Sequence, residues 1–341
     1  LVTGITTVSV GANTSAIISA LDAAKAANIT MSAGNTTSTI FTLLNATGTS
    51  DVLSLDLNAG ALALTTEVDI VGVSAIGFET VNVANTTGEA LATNAAGGNT
   101  AFGFLANTAD SVGNLNFTGA NDITLNIVAD TLDVVAVAVD ASGMTGLGDV
   151  TFTLAGGMVV GSSFKGTANN DSMNIGTING TSYLGMAGND TFDGALAALV
   201  QTGSSDHSIN GGLGTDKVTV TDTGALTLTD NHFMGISNME ELLLTATGAG
   251  NVSVTTGAAF NSAYSDGVTI TTGALANDDA FLIAAGLATV DMSVTASAAL
   301  LLGDDNAADD ITITTGSGDD TVSVIGTAFA SAAAGGSIAV S

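Results

Sequence analysis

From about residue 36 onward, apolar and polar positions alternate in short runs. Asp51-Val-Leu-Ser-Leu-Asp-Leu, Ala61-Leu-Ala-Leu, Thr80-Val-Asn-Val, Ile123-Thr-Leu-Asn-Ile, Val150-Thr-Phe-Thr-Leu, Val252-Ser-Val, Val268-Thr-Ile and Ile311-Thr-Ile all repeat with period two. That is the period of a strand with one buried face. Clusters of Gly, Asn and Asp punctuate the runs about every ten residues. By itself this spacing suits a β-sandwich or a solenoid. Residues 1–12 also alternate (Ile5, Val8, Val10). After them Thr14 or Ser15 is placed to N-cap a helix predicted over Ala16–Ala27, with Ile17, Ile18, Leu21 and Ala24 on one face. This helix is expected to cap one end of the strand array in preference to packing on its flank.

The turns decide between the two architectures. Gly211-Gly212-Leu213-Gly214-Thr215-Asp216-Lys217-Val218-Thr219 fits the nonapeptide G-G-x-G-x-D-x-U-x, with U a large apolar residue. Glycine permits positive φ in the turn and close approach of carbonyls to an ion. Aspartate supplies the hard oxygen that calcium prefers. Val218 then opens a strand with its side chain inward. Gly185-Met186-Ala187-Gly188-Asn189-Asp190-Thr191-Phe192-Asp193 is a second copy, with Met186 in place of the second glycine. Gly166-Thr167-Ala168-Asn169-Asn170-Asp171-Ser172-Met173 is looser, and Thr315-Gly316-Ser317-Gly318-Asp319-Asp320-Thr321-Val322-Ser323 lacks only its first glycine. The steps Asp171 to Asp190, Asp190 to Asp216 and Asp310 to Asp320 each lie within a residue of a multiple of nine.

These copies predict an all-β chain: a calcium-stacked parallel β-solenoid, of β-helix or β-roll type, with one short N-terminal helix. Four segments are expected: an N-terminal strand and capping helix (1–35), a β-solenoid (36–165), a calcium β-roll (166–222) and a second solenoid segment (223–341) whose residues 324–341 are a possible assembly tail. The expected calcium ligands are Asn170, Asp171, Gly188, Asn189, Asp190, Asp193, Gly212, Gly214, Asp216, Asp310, Gly316, Gly318, Asp319 and Asp320. Asp230 lies outside any nonapeptide and is expected to matter less for calcium.

A second repeat runs beside the first. Gly48-Thr49-Ser50-Asp51-Val52-Leu53 is followed by Ile76-Gly77-Phe78-Glu79-Thr80-Val81, and Gly214-Thr215-Asp216-Lys217-Val218 by Ile236-Ser237-Asn238-Met239-Glu240-Glu241-Leu242. The glutamate at each second strand entry either accepts backbone N–H bonds, pairs with a turn, or stands solvated.

Composition narrows the function. The 341 residues include 46% hydrophobic but only 4% aromatic side chains, 43 glycines, and no proline, cysteine or tryptophan. Small and β-branched residues are expected to fill thin coils. Proline, which removes a ladder hydrogen bond, is absent as a chain of ladders requires. Thirty-two acidic residues face three lysines (Lys25, Lys165, Lys217), a net charge of −29. Nucleic acid needs a basic face, so binding to it is excluded, and anionic membrane is disfavoured. Such a charge repels itself in a compact state unless cations neutralise it. No apolar run approaches the ~18 residues of a membrane span. The chain opens at Leu1 without a methionine or charged n-region, so a processed chain or fragment is expected.

Catalytic side chains are scarce. His207 and His232 are the only histidines, Tyr183 and Tyr264 the only tyrosines, and no G-x-S-x-G occurs. Paired aspartates such as Asp278-Asp279 and Asp304-Asp305 point to opposite faces of a strand. No enzymatic activity is expected.

The G-T-D strand, the F/M-E-x-h-x-h strand (h apolar) and the nonapeptides, with Val139-Asp140-Ala141-Ser142-Gly143-Met144-Thr145-Gly146 ahead of them, resemble the C-terminal crystallisation region of RTX-type bacterial surface-layer proteins, as in Caulobacter. The resemblance covers most of residues 40–323, and residues 1–35 do not align with it. It implies an extracellular, cell-surface protein that binds calcium and assembles with copies of itself into a layer or filament. A cell-surface polysaccharide is a second possible partner, through a region the sequence does not identify. The nonapeptides alone also fit an RTX adhesin segment or the calcium-folding module of a type I-secreted protein.

Overall fold

The computed structural model describes residues 7–11, 13–32, 35–58, 70–86, 100–105, 112–119, 123–128, 136–145, 150–154, 159–176, 180–200, 207–247, 250–273, 281–298, 311–326 and 338–340. Every strand pairing given for them is parallel, and successive strands of the chain belong to different sheets. This is a parallel β-solenoid, as the turn spacing predicts. The chain divides into two compact units, 1–188 and 189–341.

In the first unit the chain alternates between two sheets. One stacks Val8–Val10, Ile29–Met31, Val52–Leu57, Thr80–Asn85, Asn114–Gly119, Ala138–Met144, Ser163–Lys165 and Ser182–Ala187. The other begins with Asn13–Leu21 and Asn35–Leu43 and runs to Ser172–Asn174. Alternation fixes the register. Val52–Leu57 lies directly against Thr80–Asn85, so Leu53, Leu55, Val81 and Val83 all point inward. Slipping by one residue would turn this set to solvent, at about 1.5–3 kcal/mol for each large side chain exposed.

The second unit uses three sheets. Thr191–Gly194, Lys217–Asp222, Glu241–Ala246, Val268–Thr272, Met292–Ala298 and Thr321–Gly326 stack in one, and Leu226–Leu228 starts another that ends in Ile338–Val340. A third holds Ser208–Leu213 and Ile236–Ser237.

Three expectations are corrected. Residues 16–21 are strand, not helix. Asn13–Leu21 pairs with Asn35–Leu43 through a register shift between Ile18 and Leu21, where Ala20 takes a φ of 57°. The β-branched Ile17 and Ile18 suit that ladder, and Ile17 is exposed where a helix face would have buried it. The N-terminal helix is only Ala23–Ala26, capped by Asp22, whose Oδ1 accepts the Lys25 N–H at 3.0 Å. A second helix, Ala258–Ala263, was not anticipated.

The coils also hold more than small side chains. Phe164 stacks on Tyr183 at a centroid distance of 5.3 Å, and Phe152 meets Phe164 edge-on at 5.5 Å. Phe233, Phe260 and Tyr264 form a second cluster. The aromatics whose burial is described lie in the interior. Part of the segment 324–341, the possible assembly tail, continues the solenoid. Val324 and Ile325 pair with Ala296 and Ser297, and Ile338–Val340 pairs with Ile311–Ile313. The rest of that tail, 327–337, lies outside the described residues.

Candidate metal centre at the strand entries

Five carboxylates occupy one recurring position, the residue immediately or nearly before a strand. Each accepts the backbone N–H of its registered counterpart in the preceding coil. Asp51 donates to Glu79 Oε2 at 2.7 Å and Val150 to Asp171 Oδ1 at 2.7 Å. In the second unit Asp190 donates to Asp216 Oδ1 at 2.7 Å, Asp216 to Glu240 Oε2 at 2.7 Å, and Met292 to Asp320 Oδ1 at 3.1 Å. The physical reason is local. At the strand entry the backbones diverge into turns, the ladder carbonyl is missing, and a buried N–H still needs an acceptor. A carboxylate one coil along supplies it, as a charge-assisted bond. Asp51 and Asp216 also return their carbonyls to the next coil, to Glu79 and Thr80 and to Glu240 and Glu241 respectively.

The glycines of the motif make room for this arrangement. A Cβ at Gly211 would overlap both the Asp216 carboxylate and the Asn238 carbonyl. One at Gly166 would overlap the Asp171 carboxylate and crowd the Gly185 carbonyl. At Gly48 it would overlap Asp51. The turn conformations are as the motif requires: φ is 110° at Gly212, 144° at Gly214 and 108° at Gly188. Met186, which replaces a glycine, is held at 87°.

These cradles set the test for calcium. Asp216 is fully buried, and its Oδ2 has no hydrogen-bond partner. Burial pushes its carboxyl above the usual carboxylate range, the Asp190 N–H opposes this, and the negative charge of Glu240 adds to the rise. A buried oxygen of this kind beside main-chain carbonyls is a hard donor set, and it fits calcium. Among the described residues, no three or more Asp, Glu or His side chains gather closely enough to hold a metal ion alone. An ion at a turn would therefore draw further ligands from carbonyls.

The predicted ligands divide accordingly. Asp171, Asp190 and Asp216 are buried inside the coils. Gly188, Gly212 and Gly214 shape the turns. Asn170 and Asn189 are exposed, and Asn189 Oδ1 accepts the Thr215 N–H at 3.0 Å. Asp193 sits on the outer face of strand Thr191–Gly194, away from the turn. In the last copy Asp320 accepts from Met292, and exposed Asp319 donates its N–H to Asp291 Oδ1 at 2.9 Å. A Cβ at Gly316 would overlap the Ala288 carbonyl, and one at Gly318 would crowd Asp291. Asp310 lies outside the described residues.

Nonapeptide matching missed Asp266 and Asp291. With Glu240 and Asp319 they line a cleft of about 280 Å³ at the strand entries of the second unit. The available signal was an acidic residue one or two positions before an alternating run, as in Asp266-Gly-Val-Thr-Ile and Asp291-Met-Ser-Val. Asp230 also has a structural role. Its carboxylate accepts the N–H groups of Ala259 (3.2 Å) and Phe260 (2.9 Å), capping helix Ala258–Ala263 from another coil. His232 Nδ1 accepts the Thr229 N–H at 3.0 Å within a capping box.

No helix among the described residues is long and apolar enough to cross a membrane. No protein-family model matches the chain, and no curated protein or solved structure is significantly similar to it.

Proposed function

We propose that this chain is a structural, extracellular protein that assembles with copies of itself at a cell surface, as a layer or filament, under the control of calcium. The observation that carries the reading is the file of carboxylates at successive strand entries, set in a chain of net charge −29. Two of its three lysines are engaged locally, Lys25 with Asp22 and Lys165 with Asp140. The acidic file has little internal compensation, and bare copies repel one another over a reach of about 8 Å at physiological ionic strength.

Asp216 and Asp190 with neighbouring carbonyls, Asp171 beside Gly185, and Asp320 in the last copy are the residues that would hold calcium. Bound there, calcium supplies two positive charges and a flexible oxygen shell. The chain's own part is to keep those oxygens in register: glycine opens the space, the amide of the preceding coil fixes the carboxylate, and the inward Val218 or Phe192 anchors the strand behind it. The resemblance to RTX-type surface-layer proteins supports the same reading, and it gives the solenoid a scaffolding rather than a catalytic role.

Calorimetric titration of the full chain tests the metal. Calcium is expected to bind at several sites, magnesium poorly because it demands a smaller octahedral shell, and Asp216→Asn is expected to lose at least one site. Heats of dilution alone would remove calcium from the account.

A further inference from the structure

We propose that Asn45 is an acceptor for an N-linked glycan. The pattern Asn-x-Ser/Thr marks such acceptors where it lies on a surface loop of a secreted protein. It recurs along this chain; Asn170-Asp-Ser and Asn251-Val-Ser are also exposed, but each abuts a strand, Ser172–Asn174 and Val252–Thr255. Asn85 is buried at the end of a strand. Asn116 donates its amide to Asn82 at 2.9 Å, and Asn28 donates its own to the Ala24 carbonyl at 3.0 Å. Asn189 is tied to Thr215 across a coil.

Asn45-Ala46-Thr47 differs in place and geometry. It sits in Leu44–Ser50, the longest exposed run among the described residues, between strands Asn35–Leu43 and Val52–Leu57. The hydroxyl of Thr47 donates to the Asn45 carbonyl oxygen at 3.1 Å. The hydroxyl that defines the pattern thus already engages the carboxamide oxygen. The amide nitrogen is left for an incoming catalyst, and the bond from the Leu44 N–H to the Leu21 carbonyl holds the start of the loop one residue before it. A bulky, uncharged, hydrated chain at this point would project from the coil without disturbing either sheet.

The donor is an oligosaccharide carried on a polyprenyl diphosphate. Asn45 Nδ2 bonds to the anomeric carbon, the bond from that carbon to the diphosphate oxygen breaks, and the diphosphate leaves with the electron pair. One amide proton passes to a carboxylate of the transferase. No oxidant or reductant enters.

This rests on the extracellular reading, and the experiment separates the two. The chain is taken from the cells that make it, and intact cells are first treated with protease to establish whether it is exposed at the surface. Peptides spanning residues 44–50 are then analysed by mass spectrometry with and without amidase release of the glycan. The expected result is a saccharide-bearing peptide in which release converts Asn45 to Asp. Asn45→Gln and Thr47→Ala should each abolish the modification, and Thr47→Ser should retain part of it. A surface-exposed chain with unmodified Asn45 overturns this proposal and leaves the surface reading intact. An intracellular chain with unmodified Asn45 overturns both. A saccharide on this loop that persists in Asn45→Gln also overturns the assignment, because the attachment is then to a hydroxyl.

Discussion

The backbone N–H of Asp216 donates to the carboxylate of Glu240 at 2.7 Å, one coil further along the solenoid. Asp51 and Glu79 repeat the contact at the same distance in the other unit. Glu79 and Glu240 thus replace missing rungs of the ladder, as Asp171, Asp216 and Asp320 do at their own strand entries.

The bond predicts a difference between two substitutions. Glu240→Ala and Glu79→Ala each leave a shielded N–H without its acceptor and should destabilise their own unit by about 1–3 kcal/mol. Glu240→Gln and Glu79→Gln keep an oxygen in place and should recover most of that loss. Urea unfolding followed by circular dichroism measures it. Equal losses for Ala and Gln would show that charge, not the hydrogen bond, is what matters.

A pH prediction follows from Asp216. Burial, reinforced by Glu240, raises its carboxyl above the ordinary value near 3.8. The folded chain then holds this proton to higher pH than the unfolded chain does. In chelator, the contribution of Asp216 to stability should grow as pH falls through its raised folded value and level off near the unfolded one. Asp216→Asn should remove that slope while keeping an acceptor for Asp190. Parallel stability–pH curves for the two proteins would contradict the assignment.

Asp230 should be costly to remove despite lying outside every nonapeptide. Asp230→Ala takes both acceptors from the start of helix Ala258–Ala263 and should cost about 1–2 kcal/mol, the upper range of a lost N-cap. Calcium affinity should not change. Thermal unfolding and calorimetry on the same variant separate the two effects.

Met186 carries the opposite expectation. Its φ of 87° is a glycine conformation, and Met186→Gly should stabilise the chain by about 0.5–1 kcal/mol after the entropy cost of glycine is offset. A destabilised variant would mean that the Met186 side chain packs for more than its turn costs.

Period-two alternation and the nonapeptide turns made the solenoid legible, because a parallel coil must bury alternate residues and turn at glycines. The glutamates of the second repeat were partly legible: accepting backbone N–H bonds was one of three roles open to them, and Glu79 and Glu240 take it. The region 16–21 was misread because Ile17, Ile18 and Leu21 satisfy both periods over so short a run, and only the partner strand Asn35–Leu43 decides between them. Asp230 was opaque for a related reason. Its partners, Ala259 and Phe260, lie about thirty residues away, and no local pattern announces a cap supplied from another coil. Asp266 and Asp291 were passed over because the rule that unites them is position before a strand, not membership of a G-x-G-x-D turn.

The central claim is that calcium governs self-assembly, and light scattering of the full chain in calcium and then in chelator tests it most directly. Large assemblies in calcium that return to single copies on chelation, and do not reform in magnesium, are the predicted result. A chain that stays monomeric in calcium, or that assembles equally well in chelator, would contradict it.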